Sequence, residues 1–509
     1  MKMKKTVLLL TLMALIFGLV AGCGGEEEDN EQQNGLQEGK STEGITLSML
    51  VDSHPSYPYN KDWPVWRLIE EQTGASFEVQ TPSGSLDDTL NLTIASGEMP
   101  DIMFMYGKAV ANKFGQQGAL ANILDYVEDM PNFKQWMQQY PEIVKAQLAA
   151  DGNLYMFPNE GMGEGNRMIW MYREDIFSKH QLQAPATFDE LYTVLKQLKE
   201  LYPDSYPLSF RLGNNLLLLK LLSAHFDTNE GFYNDGGEVK FGPGENHYKS
   251  MLEYLHLFYK EGLIPPDWLS VDAKKWQDLM STDRAFVTID YIGRIDFFNN
   301  SLREGNPAFH LAFMAPPVGL QGGEPLNAYM HVVNSGLTVA SNSKKIKEAM
   351  RTIDFYYSEK GRELLSWGKE GEHYQVVDGN KQFVTSYKDA IDQRIQTGLL
   401  TNGTYTWVDY NSSLVLASDE LQTAYQEARK YDAPYRSIPD FNQQELEIIT
   451  TKGAALDKYR DENVIQFIIG KQSFADWDKY VEGLHNLGLS ELTALYKNAY
   501  DRLAVTGME

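Results

Sequence analysis

Ile45-Thr46-Leu47-Ser48-Met49-Leu50-Val51 alternates apolar and polar side chains over its first five positions, the period-two signature of a strand. A loop of turn formers follows, Asp52-Ser53-His54-Pro55-Ser56-Tyr57-Pro58-Tyr59-Asn60. Asp62 is placed to cap a helix striped by Val65, Leu68 and Ile69 and stopped at Gly74. Phe77-Glu78-Val79-Gln80 reads as a second strand. Leu86, Leu90 and Ile94 mark a helix ending near Gly97, and Asp101-Ile102-Met103-Phe104-Met105 is a third strand. A βαβαβ opening implies a parallel sheet covered by helices.

The same grammar recurs. Thr187-Phe188-Asp189-Glu190 is a capping box ahead of a helix carrying Leu191, Val194, Leu195 and Leu198. A helix around Tyr248 to Tyr259 stops before Gly262 and Pro265-Pro266. Ala285–Ile289, Leu311–Met314 and Leu337–Ala340 read as strands, and the chain from about Asp440 onward as mostly helical. Ligands of open α/β sheets bind beyond the carboxyl ends of the strands. That rule directs attention to the loops after Val51, Met105, Ile289 and Ala340.

Composition narrows the field. At roughly 100–200 residues per domain, 509 residues make two or more domains. Seventy Asp+Glu against 45 Lys+Arg give a net charge of −25, which argues against nucleic acid as a partner. The single Cys can form neither an internal disulfide nor a thiolate metal cluster.

That cysteine has a context. MKMKK is a basic start, Val7 to Val20 is an apolar run too short to be a confident membrane span, and Val20-Ala21-Gly22-Cys23 resembles the bacterial lipobox. The resemblance implies cleavage before Cys23, lipid attachment to its thiol, and a protein held on the outer side of the cell membrane. Loss of Lys2, Lys4 and Lys5, with no acid removed, takes the charge from −25 to −28. From Gly24 to Glu43 seven acids face the single Lys40, and Leu36 is the one large apolar residue, so this stretch reads as a solvated tether.

Four further stretches carry a family resemblance: Ile94-Ala95-Ser96-Gly97-Glu98-Met99-Pro100-Asp101-Ile102; Trp170-Met171-Tyr172-Arg173-Glu174-Asp175 through Pro185-Ala186-Thr187-Phe188-Asp189-Glu190-Leu191; Trp367-Gly368-Lys369-Glu370-Gly371-Glu372-His373-Tyr374; and Phe474-Ala475-Asp476-Trp477-Asp478-Lys479-Tyr480 through Tyr500. In this order, and with the lipobox, they resemble the solute-binding lipoproteins of bacterial ABC sugar importers (family 1, long oligosaccharide-binding subgroup). The resemblance implies an α/β, two-lobed, periplasmic-binding-protein-like fold of type II, each lobe a mainly parallel sheet flanked by helices, with a helical C-terminus. It implies a signal peptide at 1–22, a tether at 23–43, an N-terminal lobe from 44–160 plus about 331–370, and a C-terminal lobe from about 161–330 plus 371–509. Hinge crossings are expected near 158–165, 327–334 and 367–374, with Gly161, Gly163 and Gly165 freeing the first. Some long members carry a calcium loop after the Thr-capped helix. Here that place reads Leu201-Tyr202-Pro203-Asp204-Ser205-Tyr206-Pro207, with a single carboxylate, and no calcium is expected.

Nucleotide-binding, nucleophile-elbow and zinc-protease motifs are missing from the sequence. Asp227-Thr228-Asn229-Glu230-Gly231 places its glycine one position early for a calcium loop. No catalytic residue, cofactor or metal is therefore expected. A sugar site needs flat aromatics for the apolar ring faces and Asp, Glu, Asn or Arg for the hydroxyl edges. By position, the candidate ligand contacts are Tyr57, Tyr106, Trp170, Trp276, Tyr291 and Trp367, with Arg211, Asp290 and Glu372 as polar partners. The expected function is capture of an oligosaccharide in an interlobe cleft by a monomer, with delivery to the membrane subunits of an ABC importer. A surface-anchored glycoside-active enzyme and a sensory sugar-binding protein remain open alternatives.

Overall fold

The structure, a computed structural model, describes residues 44–211, 216–329, 333–434, 436 and 438–505. The expected signal peptide, Cys23 and the tether lie outside the described residues. In chain order the described strands are β1 (Ile45–Leu50), β2 (Ala75–Gln80), β3 (Ile102–Tyr106), β4 (Met168–Arg173), β5 (Phe232–Asp235), β6 (Glu238–Phe241), β7 (Val287–Tyr291), β8 (Leu311–Met314), β9 (Ser335–Val339), β10 (Tyr374–Val377) and β11 (Asn380–Phe383).

The opening βαβαβ forms the first sheet, of order β2-β1-β3-β9. β1 pairs parallel with β2 and β3, setting Leu47 beside Phe77 and Met49 beside Ile102, and β9 runs antiparallel on the far edge. Ile102 through Met105 are fully buried, as a strand covered on both faces requires. Between β1 and β2, the helix Pro64–Thr73 ends at Gly74 with φ 70°. It begins differently from expectation: Asp62 does not cap it. Pro64 stands at the first turn, where its missing N–H needs no partner, and no side chain caps that end. The helix Leu86–Ser96 is capped by Ser85 and stopped by Gly97.

Asp101 explains why that family-like stretch has its form. Its carboxylate accepts from Ser48 N (2.8 Å), Ser48 Oγ (2.9 Å) and Ser343 Oγ (2.6 Å), knotting β1 and the turn after β9 to the start of β3. Burial works to raise its pKa, but the Ser343 and Ser48 bonds hold it below the ordinary carboxylate value.

The second sheet departs from the mainly parallel expectation. Its order is β7-β4-β8, and β4 runs antiparallel to both neighbours. β7 and β8, joined through the helix Arg294–Leu302, do run parallel to each other, as a crossover connection demands. β4 enters the fold first and lies between them.

Three apolar cores follow. The first draws on Leu47 to Met162 and on Leu337 to Val408. A second packs one face of the second sheet, from Trp170 to Met314, against the C-terminal helices through Leu456 to Leu492. The third packs its other face, Ile169 and Met171, against Trp276, Phe298 and the helix Asp419–Ala428. Alternation along β4 thus sends Trp170 to one core and its neighbours to the other.

The chain passes between the first core and the other two after Met162, between Met314 and Leu337, and again between Val408 and Leu421. The third passage is not at 367–374. Trp367 is held beside the β10–β11 hairpin, its ring 5.1 Å from Phe383 and 5.9 Å from Tyr374. Leu399, Leu400, Tyr405, Trp407 and Val408 belong to the first core, so the part of 371–509 before about residue 408 packs there. The reason is tertiary: Trp63 Nε1 donates to Ile395 O (2.7 Å), tying this segment to the first helix.

Candidate functional site

Both sheets direct carboxyl ends toward the chain crossings. At the end of β3, Gly107 N donates to Asn334 O, on the second crossing. At the end of β7, Tyr291 pairs with Met168, where the first crossing enters β4.

One edge is built at the ends of β1 and β3. Tyr106 remains 40 % exposed, and its hydroxyl donates to Asp52 Oδ2 (2.9 Å). Asn402 Nδ2 donates to the Tyr106 hydroxyl (3.1 Å) and to Asp52 O (3.0 Å), joining three loops in one chain of hydrogen bonds. Burial first, and then the Asp52 carboxylate, push the Tyr106 pKa well above its ordinary value, so it is a neutral phenol. Beside it His54 stacks on Tyr57 at 4.0 Å, and the guanidinium of Arg394 lies 5.3 Å from the same ring. Tyr57 is buried, and its hydroxyl meets that of Tyr405 at 3.3 Å. Burial and then the Arg394 charge lower the His54 pKa, against a weaker pull from Asp52. Asp52, His54, Tyr57, Trp66 and Asn402 border a crevice of about 10 Å³, the room of one water.

The other edge is ionic. Arg211 Nε and Nη2 grip Asp290 at 2.5 and 3.1 Å, a bidentate pair. Arg294 Nε donates to the same carboxylate at 3.0 Å, as does Tyr291 N at 2.8 Å. Asp290 is 1 % exposed, while the Tyr291 ring is 39 % exposed and carries Arg211 at 5.5 Å from its centre. Arg173, by comparison, is a buried guanidinium at the far end of β4 that pairs with Asp175 and with the half-exposed Asp283.

Of the expected contacts, Tyr106, Arg211, Asp290 and Tyr291 thus gather at carboxyl ends, and Tyr57 stands behind them with its faces taken by His54 and Arg394. The three tryptophans do not join them. Trp170 is 1 % exposed, donates to His225 Nε2 (3.0 Å) and packs edge-on to Phe188. Trp276 is fully buried, donates to Thr288 Oγ1 (2.9 Å) and packs on Phe298. Trp367, 2 % exposed, donates to Asp409 Oδ2 (2.8 Å). Each has satisfied its N–H and spent its ring on packing, so no face is left for a sugar. Glu372 lies on the surface beside the first helix, paired with Arg67 at 2.5 Å. Asp52, His54, Arg294, Arg394 and Asn402 are the groups that sequence reasoning missed. Asp52 and His54 lay in a loop it had singled out.

The crossings are laced together. Val408 N donates to Glu160 O and Glu160 N to Thr406 O, both at 3.0 Å. Gly161, with φ 95°, runs so close to the Val408 carbonyl that a Cβ would not fit. Arg167, 1 % exposed, holds Asp432 by two bonds (2.8 and 2.5 Å) and Glu164 by one (2.8 Å), with the Tyr329 ring 4.3 Å away. Burial works to raise the Glu164 pKa, but Arg167 and Arg429 hold it below the ordinary value.

This architecture is a mixed α/β fold of two sheets joined by three chain passages. Residues 64–363 match the bacterial extracellular solute-binding protein family, and the chain belongs to that family. It is similar to the fructooligosaccharide ABC transporter substrate-binding protein FusA of Streptococcus pneumoniae serotype 4, 24% identical with 98% of each chain covered. It is also similar to the lipoprotein LipO of Bacillus subtilis strain 168, 24% identical over 96% of this chain and 97% of LipO. Among solved structures, the alginate-binding protein AlgQ2 without calcium superposes with a TM-score of 0.72, at 24% identity, over 91% of this chain and 99% of that one.

Proposed function

We propose that this protein is a lipid-anchored extracellular receptor that captures an oligosaccharide between its two sheet ends and delivers it to an ABC importer. The observation that carries the reading is the pairing of half-exposed aromatics with multidentate polar groups at carboxyl ends on both sides of the crossings, Tyr106 with Asp52 and Asn402, Tyr291 with Arg211 and Asp290. A pyranose ring presents one apolar face and a rim of hydroxyls, which this combination suits. The 10 Å³ crevice is too small for a ring, so the sugar would lie along these edges. FusA and LipO support the transport and lipoprotein parts of the reading.

Two lobes would close about the crossings, one built on the first core (44–160 and about 333–408) and one on the other two (about 168–329 and 421–505). The permease would then distinguish closed from open. Cys23 is the attachment point, and the receptor acts as a monomer without cofactor or metal. Calorimetry and thermal melting with a panel of plant and microbial oligosaccharides test this. One-to-one binding with stabilisation and no product is the expected result. Turnover of the sugar, or binding of no saccharide, overturns it.

A further inference from the structure

Residues 438–441 lie against the lobe of the first sheet, although the chain before and after them packs in the other, Ala428 in the third core and Leu456 in the second. Lys108, 6 % exposed at the start of the helix Lys108–Gln116, donates from Nζ to Ala146 O and to Ile438 O, both at 2.7 Å. Asp440 Oδ2 accepts from Ala150 N (3.1 Å), and Gln116 Nε2 donates to Phe441 O (3.4 Å). The receiving surface belongs to the first core through Ala111, Phe114, Val144 and Ala149. The same short segment is bound equally to the other lobe. Arg502, on the helix Leu489–Val505 that enters the second core at Leu489 and Leu492, donates to Asp440 O (3.1 Å) and grips Glu445 by two bonds (2.7 and 2.6 Å). The Phe441 ring meets Tyr496 of that helix edge-on at 4.9 Å. Asp440 is therefore shared, its side chain with one lobe and its carbonyl with the other.

A loop that only connects two helices turns its polar groups to water. This one meets a buried ammonium instead. Burial lowers the Lys108 pKa and raises that of Asp440, and the charge of each opposes the shift of the other. Separation would strip Lys108 of Ile438 O and of the Asp440 charge, leaving Ala146 O as its bonded acceptor, so the docked arrangement is favoured. The dock also has a telling position. Lys108 follows the half-exposed Tyr106 by two residues, and Gln147 Nε2 donates to Asn334 Oδ1 (3.2 Å) on the second crossing. It thus lies at the carboxyl end of β3, the end directed toward the crossings, where a contact between lobes resists their opening. We propose that residues 438–441 form a latch that holds the two lobes in a binding-competent arrangement before sugar arrives, with Lys108 and Asp440 as its catches. The proposal rests on the receptor reading above and names how that site is regulated. Such a latch strengthens binding without touching the sugar, because apparent affinity scales with the fraction of molecules already competent.

The test compares the mature-length protein with its Lys108→Met and Asp440→Asn variants. Small-angle X-ray scattering is read without sugar, and calorimetry with fructo-, xylo- and manno-trisaccharides and with trigalacturonate. Both variants should scatter as more extended particles than the wild type. They should bind whichever of these saccharides the wild type binds more weakly, by about three- to tenfold. His225→Gln, whose partner Trp170 lies in the same lobe, controls for loss of stability alone and should scatter as the wild type does. Thermal melts show which variants are folded; should Lys108→Met fail to fold, Asp440→Asn and Gln116→Ala decide. Unchanged scattering in the folded variants, or sugar binding that is unchanged or tighter, overturns the latch and leaves the receptor reading standing. Binding of no saccharide by the wild type overturns the receptor reading, and the scattering then decides the latch by itself.

Discussion

The two edges of the site solve the same problem with different chemistry. At the ends of β1 and β3 a half-exposed phenol, a carboxylate and a buried amide form a hydrogen-bonded chain in which no ion pair takes part among the described residues. At the end of β7 a buried carboxylate is clamped by two guanidiniums and a backbone N–H. The difference teaches where rigidity comes from. Buried charge must be fully paired or the structure suffers, so the second edge cannot rearrange cheaply, whereas the first can exchange its partners for water.

Breaking the ionic edge should have the largest effect. Asp290→Ala leaves two guanidiniums facing each other and should destabilise the protein by about 3–5 kcal/mol in chemical denaturation. A loss under 1 kcal/mol would show that the two edges are equally adaptable.

The cores behind the edges differ in the same sense, and pH separates them. In the first, Asp354 is buried and accepts from Phe133 N and Asn132 Nδ2, each at 2.8 Å, yet burial outweighs these bonds and raises its pKa to about 6. Its native form therefore holds a proton that the unfolded chain has released, and this contribution to stability is lost as pH rises from about 4 to about 6, by roughly 3 kcal/mol. Asp354→Asn should flatten stability across that window. In the second, burial lowers His225 to about 3, so the ring stays neutral and accepts from Trp170. Its contribution is complete above about 6.5 and is lost as pH falls toward 3. A melt series against pH in which both variants, Asp354→Asn and His225→Gln, follow the wild-type curve would remove the contrast.

On the phenol edge, Tyr106→Phe removes one hydroxyl from a half-exposed network. Stability should fall by about 1 kcal/mol or less, while oligosaccharide affinity drops about tenfold by calorimetry. Unchanged affinity would take this edge out of the site. The smallest effect belongs to Glu372→Gln. Its ion pair with Arg67 is solvent-exposed on both sides, and both stability within about 0.5 kcal/mol and full sugar affinity should be retained.

Much of the first sheet was legible because its signals are local. Alternation in Ile45–Val51, the Gly74 and Gly97 stops and the apolar run Ile102–Met105 each read within one turn or strand. The Thr187 cap and the helical C-terminus were equally plain. The lipobox reading is purely sequential, and Cys23 lies outside the described residues. For the site, Tyr106, Asp290 and Tyr291 could be proposed because they sit at strand ends.

What sequence could not supply was the partner of each side chain. Large aromatics such as Trp170 and Trp276 look the same in a sequence whether they face a core or a cleft, and the structure turned both inward because β4 and the helix Ala273–Ser281 are covered on those faces. The antiparallel place of β4 between β7 and β8 depends on pairing between strands more than a hundred residues apart, which no local signal encodes. Asn402 reaches Asp52 across 350 positions, and Arg394 comes beside Tyr57 from a similarly remote segment. Periodicity and caps act over a few residues, so the sequence alone determined the elements and their order. Which charges meet was decided by packing between segments hundreds of residues apart.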